Sequence, residues 1–69
     1  MLPYNYLCLT KLLAYSSGNQ SMQPSKAELD VATELIKQMY DHNPYLNKTQ
    51  KEYFKFLIDL AKQITSTRN

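Results

Sequence analysis

The last third of the chain separates its apolar and polar residues onto opposite sides of a helix. At about 100° per residue, the apolar positions of residues 48–66 fill an arc of roughly 200°, and four lysines and two acidic residues occupy the rest. An arc this wide is typical of a helix that packs on more than one neighbour. Thr49 and Glu52 have the spacing of a capping box. The pattern therefore predicts a helix over about residues 49–66.

A second amphipathic segment lies earlier in the chain. Apolar residues recur at helical spacing from Leu29 to Tyr40, with acidic side chains on the opposite side. Ser25 and Glu28 form a capping box in front of it. Pro44 follows, and the residue before a proline is pushed out of the α region. We predict a helix over about residues 25–41.

The first block, residues 3–16, is apolar on all sides, and Lys11 is its only charge. Pro3 suits a first helical turn, and Gly18 follows where a helix end favours a residue of positive φ. These features predict a helix over about residues 3–16. A short strand over residues 4–10 is the alternative, because tyrosine favours strands. Such a strand would need a pairing strand from another chain.

The predicted fold class is all-α, with residues 1–69 forming one domain. Helices two and three are expected to pack as an antiparallel hairpin, and helix one to lie across or between them in a small three-helix bundle. The predicted core of the hairpin consists of Leu29, Ala32, Leu35, Ile36, Met39, Tyr53, Leu57, Leu60, Ala61 and Ile64.

Helix one presents a packing problem, because a helix that is apolar all round is normally buried on all sides. A bundle of this size cannot enclose one of its own members, so a second chain, another partner or a membrane surface is expected to cover the remainder. Tyrosine is enriched at protein interfaces, and this chain has six. The predicted interface with a second copy or a protein partner comprises Tyr4, Leu7, Cys8, Leu12, Tyr15, Phe54 and Ile58.

Composition argues against an enzyme. The single cysteine, Cys8, lies among leucines, where a buried structural thiol is the usual outcome. His42 and Asp41 cannot complete a metal site without further ligands. One glycine is too few for a glycine-rich phosphate loop. We expect no catalytic residues, no metal and no cofactor.

The expected location is the cytoplasm. A lone cysteine fits a reducing compartment. The chain has no run of about 18 uncharged apolar residues, and its start lacks the basic and small residues of a signal peptide. A membrane partner is therefore not expected, although insertion of the first block into a membrane surface is a third hypothesis.

Four lysines of helix three share one face and could contact a phosphate backbone or an acidic partner. They are Lys48, Lys51, Lys55 and Lys62. Three observations weaken a role in nucleic-acid binding. No Arg, Asn or Gln stands among them to read base edges, Glu52 and Asp59 partly neutralise them, and the net charge is only +2. The connection between helices two and three is also too long for a helix-turn-helix.

The function expected from the sequence is therefore that of a small non-enzymatic helical binding or regulatory protein. It would act through protein–protein contacts and self-associate, with a homodimer as the simplest assembly. A small nucleic-acid-binding regulator that uses the four lysines is the alternative.

Overall fold

The computed structural model describes residues 3–67, which form three α-helices: α1 (Tyr4–Ser16), α2 (Lys26–His42) and α3 (Lys48–Thr67). A 3₁₀ turn, Gln20–Met22, lies in the first connection. The three predicted helices are confirmed, each to within one residue at either end. Among residues 3–67 no strand is present, so the strand alternative for residues 4–10 is wrong.

Local sequence signals explain where α1 ends. Gly18 has a φ of +101°, a conformation that a residue with a Cβ adopts only with strain. This reversal lets the Asn19 N–H donate to the carbonyl of Ala14 at 3.1 Å. The predicted role of Gly18 is confirmed.

The sequence predicted a capping box at the start of α2 and another at the start of α3, and only the first is present. The capping box of α2 is confirmed: the Glu28 N–H donates to Ser25 Oγ at 3.2 Å, and the Ser25 N–H donates to Glu28 Oε1 at 2.8 Å. The predicted box of Thr49 is wrong, because α3 begins earlier. There Asn47 Oδ1 accepts from the Gln50 N–H at 2.8 Å, and Gln50 Oε1 accepts from the Asn47 N–H at 3.0 Å.

The helices alternate in direction. The ring of Tyr40, near the end of α2, lies 6.5 Å from that of Phe54, near the start of α3. At the other end of the pair, Leu29 and Ala61 line one cleft. The helices α2 and α3 are therefore antiparallel, as predicted. Lys11 in the second half of α1 contacts the start of α2, so α1 also runs opposite to α2.

The core draws on all three helices, and α1 packs chiefly on α2. Its buried members are Cys8, Leu12, Leu29, Ala32, Ile36, Leu57, Ala61 and Ile64. Leu35 is also buried, and Leu60 packs half-buried against this cluster. Most of the predicted hairpin core is thus confirmed, and α1 adds two residues to it.

Four predicted positions need correction. Cys8 and Leu12 were expected at an interface with a partner, but α2 and α3 cover them completely. Met39 and Tyr53 were expected in the core, but 38% and 44% of their surfaces are exposed. Met39 follows buried Ile36 by one turn, and Tyr53 precedes buried Leu57 by one turn. Each lies one turn past the last fully buried residue of its stripe.

Glu28 joins the cap of α2 to α1. Its Oε2 accepts from Lys11 Nζ at 2.6 Å while its Oε1 accepts from the Ser25 N–H. The Lys11 ammonium and the Ser25 backbone N–H lower the pKa of Glu28 from 4.5 to about 2. The hydrogen bond to Glu28 correspondingly raises the pKa of Lys11. One carboxylate therefore stabilises both a helix start and a helix–helix contact.

Acid is expected to weaken this contact in a defined range. Because the pKa of Glu28 is lower in the folded chain, the carboxylate stabilises the fold above pH 4.5, and this contribution disappears as the pH falls towards 2. Thermal unfolding followed by circular dichroism should show a smaller drop in Tm over this range for Glu28→Gln than for the wild type. Asp30→Asn, at an exposed position of the same helix, is the control and should behave as the wild type does. Equal drops for Glu28→Gln and the wild type would contradict the assignment.

Candidate protein-binding surface

The apolar stripes of the three helices continue past the buried core at one end of the bundle. On α2, Met39 continues the stripe of Ala32 and Ile36. On α3, Tyr53 continues the stripe of Leu57. Tyr6 of α1 likewise continues the stripe of half-buried Leu9 and Leu13. Because the helices alternate in direction, these stripes emerge where α1 and α3 begin and α2 ends. We call Tyr6, Met39 and Tyr53, together with Phe56, which stacks on Tyr53, the open end.

Exposed large apolar side chains are concentrated in this half of the molecule. Within residues 3–67, they are Tyr4, Tyr6, Leu7, Met39, Tyr45, Tyr53 and Phe56. Each belongs to the first half of α1 or α3, the last turn of α2 or the α2–α3 connection. The opposite end of the bundle carries mainly hydroxyl and amide side chains, such as Ser17 and Gln20. The two ends of the bundle therefore differ sharply in polarity.

Phe56 and Tyr53 form a stacked pair within the open end. Their rings are stacked at 6.2 Å with an interplanar angle of 26°, and half of the Phe56 surface is exposed. Two rings that support one another present a preformed apolar surface, which lowers the entropy cost of binding. Sequence reasoning missed Phe56 as an interface residue, although it lies at the edge of the wide apolar arc of α3.

The predicted interface residues fall into three groups. Tyr4 and Leu7 are exposed. Tyr15, Phe54 and Ile58 are half-buried against the core. Cys8 and Leu12 offer no surface. The structure thus leaves Tyr4 and Leu7 as the most accessible members of the predicted set and adds the four residues of the open end.

The lysine face of α3, Lys48, Lys51, Lys55 and Lys62, is exposed along its whole length. Among residues 3–67, the pair Lys11–Glu28 is the only ion pair, so none of these four ammonium groups is neutralised by direct contact with a described carboxylate. Lys62, at one end of this face, lines a cleft between α2 and α3. At about 100° per residue, the four lysines lie 80° or more around α3 from Tyr53 and Phe56, so the lysines and these rings occupy different sectors of the helix.

A cleft lies between α2 and α3. It has a volume of about 580 Å³, is open to solvent and is lined by residues of both charge signs, including Asp30, Glu34 and Lys62. Its floor consists of Leu29 and Ala61. The cleft lacks convergent polar groups of one kind that would select a particular ligand.

The residues considered for chemistry lie in different environments. Cys8 is buried in the core, whereas His42 is exposed in the last turn of α2. Within residues 3–67, no three His, Cys, Asp or Glu side chains lie close enough to hold a metal ion. In the same residues, no helix combines the length and apolar character that a membrane crossing needs.

Comparisons with protein-family models, with curated proteins and with solved structures each found no match. The fold and surfaces of this chain are therefore the basis for assigning its function.

Proposed function

We propose that this chain is a small non-enzymatic helical binding protein that acts through protein–protein contacts at its open end. The observation that carries the proposal is the emergence of three apolar stripes at one end of the bundle. Exposed apolar side chains scattered singly need no explanation, but a cluster of them marks an interaction site. Self-association is one form of this contact.

The exposed area supports a contact of useful size. An aromatic side chain offers about 200 Å², so the half-exposed rings of Tyr6, Tyr53 and Phe56 together present on the order of 300 Å². Each partner in a typical stable complex contributes about 800 Å². The three rings therefore supply more than a third of such a contact, with Met39 and the surrounding polar residues available for the remainder.

Phe56→Asp is expected to weaken any self-association by at least about 30-fold, because a buried aromatic anchor typically contributes 2 kcal/mol or more. Sedimentation velocity over a concentration series measures the effect. Gln38→Asp, which adds the same charge at an exposed position of α2, should leave the association unchanged. A wild-type chain that stays monomeric throughout would show self-association to be wrong, and the contact would then be with another protein.

Nucleic-acid binding is the second candidate, and the exposed lysine face favours it. It requires salt-sensitive retention of labelled DNA that is lost when Lys51, Lys55 and Lys62 are replaced by Glu, and that Phe56→Asp leaves intact. Retention with this profile would favour the lysine face over the open end as the functional surface.

A further inference from the structure

We draw no further inference here: the strongest candidate, the exposed apolar surface patch at the open end of the bundle, belongs to the site already described, and nothing in the structure of residues 3–67 shows what covers it.

Discussion

Leu12→Ala is expected to lower the free energy of unfolding by about 2–5 kcal/mol, because it removes a fully buried side chain and leaves a cavity. A domain of this length has a total stability of roughly 3–10 kcal/mol. The variant should therefore be partly or largely unfolded at ambient temperature. Chemical denaturation followed by far-ultraviolet circular dichroism measures the difference.

Leu7 is the matched control for Leu12. It is the same residue type on the same helix, but it is exposed rather than buried. Its replacement by Ala should cost less than about 1 kcal/mol, since little apolar area returns to water. Similar losses for the two variants would contradict the packing of α1 on α2 and α3, and would favour the expectation that Leu12 faces another chain.

Ile36→Ala is expected to destabilise the chain by a similar amount, about 2–5 kcal/mol. Ile36 lies in the central helix and contributes to the cluster that joins all three helices. Cavities at this position cannot be filled by movement of one helix without disturbing the other two. The loss should appear as a lower midpoint of denaturation with an unchanged slope, the signature of a changed stability.

Met39→Ala is the comparison for Ile36→Ala, because both residues lie on one stripe of α2 and the sequence placed both in the core. Since more than a third of Met39 is exposed, its replacement should cost about 1 kcal/mol or less in the isolated chain. It should weaken partner binding instead. A loss of stability as large as that of Ile36→Ala would mean that the bundle is closed at this end and that Met39 belongs to the core.

The contrast between buried Leu12 and Ile36 and exposed Met39 also tests the proposed function. The open end is a binding surface only if its apolar residues are not required for folding. Met39→Ala should therefore have a small effect on the free energy of unfolding, and Phe56→Asp should have a large effect on association. Leu12 and Ile36 should show the opposite behaviour.

The helices were predictable because their signals are local. Ser25, Glu28 and Gly18 act through backbone groups within a few residues, and a period of 3.6 residues can be read directly from apolar positions. The start of α3 was the exception. Two capping pairs, Asn47–Gln50 and Thr49–Glu52, overlap in the sequence, and the choice between them required the position of the first helical turn.

Burial was harder to predict, because it depends on which neighbour covers a stripe and how far along the helix that cover extends. Periodicity assigns Ile36 and Met39 to one face but says nothing about where α1 and α3 stop covering it. For α1 the difficulty was greater, since its apolar residues surround the helix and no polar face indicates its orientation. Cys8 and Leu12 were therefore assigned to the wrong environment.

The sequence by itself determined the second and third helices, their ends to within a residue, and the antiparallel hairpin, since short polar connections and amphipathic periods leave few alternatives. It favoured a helix for the first block but left a strand open. The tertiary structure alone decided which turns of each stripe are covered. That depends on packing between residues far apart in the chain, which no local pattern encodes. It placed Cys8 and Leu12 inside and left Tyr6, Met39, Tyr53 and Phe56 exposed.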